Sequence, residues 1–173
     1  MADGHKTETP SYVTYINDVS RYLVRTCLTI AALNDIDLIA ADIENACLLA
    51  PFQEMFWMRS GPKFGNLEGK LLVVKMVLYG LKSTVAVFRA FLVEILDDVG
   101  FRSSITNPNI WMREDTKPTG EMYYEYTLCC VYDILCISHD ASQTMGEIEN
   151  NVKFKKNNID EPDFYLGASL KKS

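Results

Sequence analysis

Two carboxylates stand out because of the apolar sequence around them. In "LIAADIENACLLA" Asp42 closes a run whose immediately preceding residues are all apolar, and Glu44 follows two positions later. In "YYEYTLCCVYDILCIS" Asp133 is the only charged residue after Glu125. A charge in such a setting is either solvated at a turn or bound to something. A strand-end Asp can hold a divalent cation for phosphoryl transfer. It is also a common helix N-cap or turn residue, and Asp42 can cap a turn that starts at Ile43. Asp133 is expected at or beside a very tight turn that lacks the Gly, Asn or Pro such turns favour. Positioning a ligand is one reason for that shape, and simple solvation of the turn is another. A third candidate is "LYGLKSTVAVFRAF", where Gly80 allows a close backbone approach and Lys82 precedes a helix start. That arrangement can seat a phosphate or merely join a loop to a helix, and it is not a P-loop.

These residues need elements to position them. Val19, Tyr22, Leu23, Cys27, Ile30 and Ala31 share one helical face, with Arg21 and Arg25 opposite, so 17–34 reads as an amphipathic helix. Phe88, Phe91, Leu92, Ile95, Leu96 and Val99 mark another at 84–99, capped by Ser83 or Thr84 and ended by Gly100. Asp140 or Ser142 opens a third helix, with Met145, Ile148 and Val152 facing inward, and Glu44–Leu49 reads as a short helical turn. Strand signatures lie in "DLIAADI", "MFWMR", "KLLVVKM", "NIWMR", "YYEYTLCCV", "ILCIS" and "FYLGASL". "SGPKFGNLEGK" is a loop and "EDTKPTGE" a hairpin-like connection. The mixed order predicts an α+β fold, an antiparallel sheet with the helices laid on one face.

Composition narrows the classes. The 173 residues are 48% hydrophobic and 23% charged, which is globular composition and most simply one domain. The net charge of -6 argues against a module that binds nucleic acid by blanket charge neutralisation. It does not argue against an enzyme that gathers carboxylates around cations. The one dense basic run, "KFKKNN", reads as a solvated face. Five cysteines without CxxC or Cys/His spacing indicate free thiols in an intracellular, reduced protein rather than a zinc site. No apolar run reaches the roughly 18 residues of a membrane span, and the polar start "MADGHKTETPSY" has no signal core.

Taken together, order and spacing resemble the reverse transcriptase domain of copia-type retrotransposons. The resemblance runs from about Tyr12 to Lys172, beyond a polar tail at 1–11. It rests on "SRYLVRTCLTIAALNDIDLIAADIENACL", on "LYGLK" before an aromatic-rich helix, and on "DDVGFRSSITNPNIWMR". The hairpin stretch and the closing "FYLGASL" continue it. It implies the palm of a right-handed polymerase with partial fingers and no thumb. In that family an Asp on the first palm strand joins an Asp pair at a later hairpin to hold two Mg²⁺ ions. Asp42 matches the first position.

The family's hairpin usually reads Tyr-Val-Asp-Asp. Aligned without a gap, Cys130, Val131, Tyr132 and Asp133 fall on those four positions, so Tyr132 replaces the first Asp of the pair. A gapped alternative makes Asp133 the first Asp and puts Ile134 on the second. One metal carboxylate is missing in either register. Cys47 stands where the family has the Tyr or Phe that packs under the incoming sugar, and Val85 replaces a small residue or proline.

The resemblance therefore implies a truncated, RNA-directed DNA polymerase by descent that is inactive in this copy and holds Mg²⁺ weakly or not at all. Asp42 and Asp133 would be its remaining metal ligands, with Cys47, Gly80 and Lys82 near the nucleotide. Its partners would be an RNA or DNA template–primer and a deoxynucleoside triphosphate. Its location would be cytoplasmic, in a virus-like particle, and membership of a longer polyprotein stays open. The alternative is a non-catalytic nucleic-acid-binding or interaction remnant.

Overall fold

The computed structural model describes residues 19–78, 83–155, 164–165 and 168–169. The chain divides into two compact units, one of Met1–Ile16 with Asn45–Phe91, the other of Asn17–Glu44 with Leu92–Ser173. Among the described residues, no helix is long and apolar enough to cross a membrane.

The second unit is built on five antiparallel strands in the order β1-β7-β6-β5-β4. These are β1 (Asp37–Asp42), β4 (Arg102–Ser103), β5 (Ile110–Thr116), β6 (Met122–Cys130) and β7 (Asp133–Ser138). The fold is thus α+β. β5 and β6 are joined at Lys117–Glu121, where Gly120 takes φ +87°, a conformation that suits glycine.

Helix α1 (Arg21–Asn34) starts later than its apolar period suggested. Ser20 caps it by accepting from the Leu23 N–H, and Asp35 ends it in the left-handed region. Its buried Val24, Cys27 and Ala31 pack with Ile110, Leu128, Leu135 and Ile137 in one apolar cluster. The register pairs Leu128 with Leu135 and Tyr126 with Ile137, which defines the α1 face of the sheet. Thr127, paired with Cys136, points to the other face. On that second face lies α4 (Ala141–Glu149), capped by Asp140, whose Thr144 hydroxyl reaches Glu125 and Ser138. The expectation of helices on one face is therefore corrected: α1 and α4 cover opposite faces. The reason is legible in β7, whose residues from Ile134 to Ser138 are all buried, so neither side is left to solvent.

In the first unit, α2 is the four-residue helix Ala46–Leu49, and β2 (Pro51–Arg59) pairs antiparallel with β3 (Leu71–Met76). The loop between them contains a 3-10 turn at Pro62–Leu67 that the sequence did not suggest. Helix α3 spans Thr84–Asp98, and Thr84 donates its hydroxyl to the Leu78 carbonyl at 2.6 Å. Gly100, at φ +97°, closes it as expected, with the Phe101 N–H returning to the Leu96 carbonyl. The stretch expected as one strand, "FYLGASL", instead doubles back: β8 (Phe164–Tyr165) pairs antiparallel with β9 (Ala168–Ser169).

Candidate functional site

The β1–β7 ladder runs from Asp37 opposite Ser138 to Asp42 opposite Asp133. Directly opposed residues in an antiparallel pair carry their Cβ atoms about 4.5–5.5 Å apart on one face. The two carboxylates singled out in the sequence thus come together at one end of the sheet, on the face that α1 covers. Asp133 follows a two-residue turn, Val131–Tyr132, closed by the pairing of Cys130 with Asp133. Val131 sits at φ +53°, the left-handed region that disfavours a β-branched side chain. Tyr132 is half-buried, and its carbonyl accepts from the Ile43 N–H at 3.1 Å, tying the turn to the end of β1.

A third charged group completes the cluster. Residues 153–155 run along the outer edge of β1: the Glu44 N–H donates to Lys153 O at 2.7 Å and the Lys155 N–H to Asp42 O at 2.9 Å. Between them Ile43 and Phe154 form an isolated bridge, with Phe154 only 3% exposed. So anchored, Lys155 donates its ammonium to Asp42 Oδ2. The basic run expected as a solvated face is exposed at Lys153 and Lys155, and Lys155 also supplies a partner to the candidate site. Asp133 is exposed as a residue, yet its pKa is raised, first by desolvation of the carboxyl and then by the charge of Asp42, while Lys155 pulls it down.

Of the other expected site residues, Cys47 belongs to the first unit and is fully buried. Gly80 and Lys82 lie outside the described residues. All five cysteines are buried, and none is in a disulfide.

The second face holds a polar cluster that the sequence reading did not single out. Glu125, 1% exposed, accepts from Arg113 Nε at 2.7 Å, from the Thr144 hydroxyl at 2.8 Å, and from the Ser138 hydroxyl. Arg113 also donates to Glu147 at 2.6 Å and to the Val99 carbonyl at 2.8 Å, and its guanidinium lies 4.8 Å above the Phe101 ring. Burial opposes its charge, but hydrogen bonds to Glu147 and Glu125 outweigh that and raise its pKa. Nearby, burial and then the charge of Glu125 push the Cys136 thiol up to about 12, which makes it a poor nucleophile. A signal did exist: Arg113 and Glu125 are symmetric about the turn in "KPTGE", so a hairpin centred there pairs them.

A two-metal centre for nucleotidyl transfer needs carboxylates converging from several positions. Among the described residues no three His, Cys, Asp or Glu side chains gather as a metal group would require. Asp42 and Asp133 form a pair, one of them is already engaged by an ammonium, and the adjacent turn residue is a phenol. This donor set does not fit two divalent ions. No protein-family model matches the chain, and no solved structure matches it.

Proposed function

We propose that the chain is the palm and part of the fingers of a copia-type reverse transcriptase, an RNA-directed DNA polymerase by descent that does not polymerise in this copy. The five-stranded unit is read as the palm and the β2–β3 unit as the partial fingers. One observation carries the reading: Asp42 and Asp133 are strand partners immediately beside a tight two-residue turn. The sequence resemblance asks for that meeting, and nothing local in the sequence brings residues so far apart into register.

The same corner supports the loss of activity. With Tyr132 in the turn and Lys155 on Asp42, the described residues of this corner lack the carboxylates that two Mg²⁺ ions require, so Mg²⁺ is held at most weakly. Each tenfold in rate corresponds to about 1.4 kcal/mol of barrier, and a bound metal supplies several kcal/mol of charge stabilisation. The loss is therefore expected to reach several orders of magnitude. Partners, by this reading, are a template–primer and a deoxynucleoside triphosphate, and the location is the cytoplasm, within a virus-like particle.

The test places this palm in an intact member of the family, so that fingers and thumb are supplied in cis. The unmodified palm should give no primer extension on RNA. Tyr132→Asp should recover synthesis, and Cys47→Tyr added to it should restore discrimination against ribonucleotides. In the isolated chain Tyr132→Asp should not suffice, because holding template and primer in register is most of what such an enzyme contributes. Synthesis by the graft with Tyr132 untouched would overturn the ungapped register and make Ile134 the tolerated change.

A second reading, a non-catalytic binding remnant, is favoured by the outward face of the β2–β3 hairpin. Trp57, 54% exposed, lies opposite Val73, and Arg59 opposite the exposed Leu71. An aromatic and a cation on one open ribbon suit stacking on single-stranded nucleic acid. Single-strand binding lost in Trp57→Ala, by a graft that never polymerises even with Tyr132→Asp, would favour this reading.

A further inference from the structure

We infer that the Lys155 ammonium is a tethered cation that takes the place of a divalent ion at the Asp42–Asp133 pair, so that the chain holds its acidic corner together without metal. The inference rests on the palm reading for what the pair once held, but its support is the geometry of this chain.

Two observations carry it. First, the placement of Lys155 is set by backbone rather than by a roaming side chain: its own N–H bonds to Asp42 O, Phe154 is buried beside it, and Lys153 O accepts from Glu44. The anchored backbone fixes where the lysine stem begins, within reach of Asp42, so the pair needs no further backbone ordering, although the stem still gives up rotamer freedom. Second, the ammonium meets Asp42 while Asp133 faces Asp42 across the ladder, so one positive charge stands beside two negative ones.

Two like charges directly opposed on a sheet repel. Something must offset that, and among the described residues the Lys155 ammonium is paired there. A divalent ion arriving at the same oxygens would meet this ammonium within a few ångströms and be repelled by it. The lysine and the metal are thus alternatives at one place.

The test uses Mn²⁺ as the probe, with the whole chain, reading paramagnetic broadening of the Asp133 and Ile134 amide signals as the ion is titrated. Lys155→Gln should bind Mn²⁺ at least about tenfold more tightly than wild type, with water completing the ligand shell. Lys155→Arg, which keeps the charge, should behave as wild type, and Asp133→Asn added to Lys155→Gln should abolish the gain. Equal affinity in wild type and Lys155→Gln, or a gain that survives Asp133→Asn, overturns the inference. A thermal-melt cycle needs no metal: Lys155→Gln should lower Tm, Asp42→Asn should return part of the loss, and Mn²⁺ should raise the Tm of Lys155→Gln more than that of wild type. Additive effects of the two substitutions would overturn it as well. The palm reading fails separately: a grafted palm that stays silent with Tyr132→Asp, alongside a Mn²⁺ gain in Lys155→Gln, removes the polymerase ancestry and leaves the tethered cation standing.

Discussion

On opposite faces of one sheet, and at opposite ends of β7, two clusters of charge are built to different standards. At Ser138 the Glu125 carboxylate is buried and receives three donors, one of them the guanidinium of Arg113, which in turn bonds Glu147 and a main-chain carbonyl. At Asp133 two carboxylates oppose each other near solvent, with an ion pair from Lys155 to Asp42 and a β-branched residue held at positive φ in the adjoining turn. The first arrangement joins β5, β6, β7 and α4, so its chemistry is fully used in holding the unit together. The second leaves repulsion and strain at the surface. Strained turns and opposed like charges persist where something other than stability once selected them. That contrast separates a structural network from the corner proposed above as a former site more clearly than either cluster alone.

The largest expected effect breaks the well-made cluster. Arg113→Met keeps the stem over Phe101 but leaves Glu125 buried with only hydroxyl partners. Removing one member of a buried pair costs roughly 3–5 kcal/mol, because the remaining charge is uncompensated. Urea unfolding at neutral pH should show that loss, and Glu125→Gln in the same background should recover part of it. A loss below about 1 kcal/mol would place Arg113 among ordinary surface ion pairs and dissolve the contrast.

What the sequence revealed of these two regions follows from how far apart the partners lie along the chain. Local signals worked in part: Gly100 ends α3, Asp140 caps α4, and the stripe read on α1 is buried at Cys27 and Ala31, although Tyr22 faces solvent and Val24 is buried instead. The Arg113–Glu125 pairing was within reach, since it needs only a hairpin centre. The meeting of Asp42 with Asp133 was not, because periodicity carries no information on which distant strands become neighbours; only the family resemblance proposed it. Lys153 and Lys155 are solvent-exposed as their composition suggested, but the pairing of Lys155 with Asp42 was not legible, because it depends on Phe154 burying itself beside Ile43. The one-face arrangement failed for a related reason. Cys129, Ile134 and Cys136 alternate with Leu128, Leu135 and Ile137, so both faces of the hairpin are apolar and each demands a cover.

A smaller effect sharpens the second cluster. Val131 is 41% exposed, so little packing is lost on replacing it, while its left-handed backbone costs a β-branched residue roughly 1–2 kcal/mol. Val131→Asn should therefore raise stability by about 1 kcal/mol, since Asn tolerates this conformation with a smaller entropy cost than Gly. Equilibrium unfolding compares the two proteins directly, and a destabilised Val131→Asn would mean the turn carries no strain.

The smallest effect concerns charge alone and has a definite pH signature. The native pKa of Asp133 is raised above its unfolded value of about 4 by desolvation and by Asp42, so the folded chain takes up this proton more readily than the unfolded one. The sign follows: ionised Asp133 costs stability at neutral pH, the cost shrinks as pH falls through the native pKa, and it is gone below the unfolded pKa where both states are protonated. Asp133→Asn should thus raise Tm at pH 7, by an amount equivalent to less than about 1 kcal/mol given how exposed the residue is, and the gain should vanish near pH 3. Glu125 supplies the contrast, because Glu125→Gln in the wild-type background should lower Tm at pH 7, removing the charge that Arg113 is placed to meet. If Asp133→Asn were destabilising at neutral pH instead, Lys155 would outweigh Asp42 at that carboxylate, and the acidic corner would be as well compensated as the buried network.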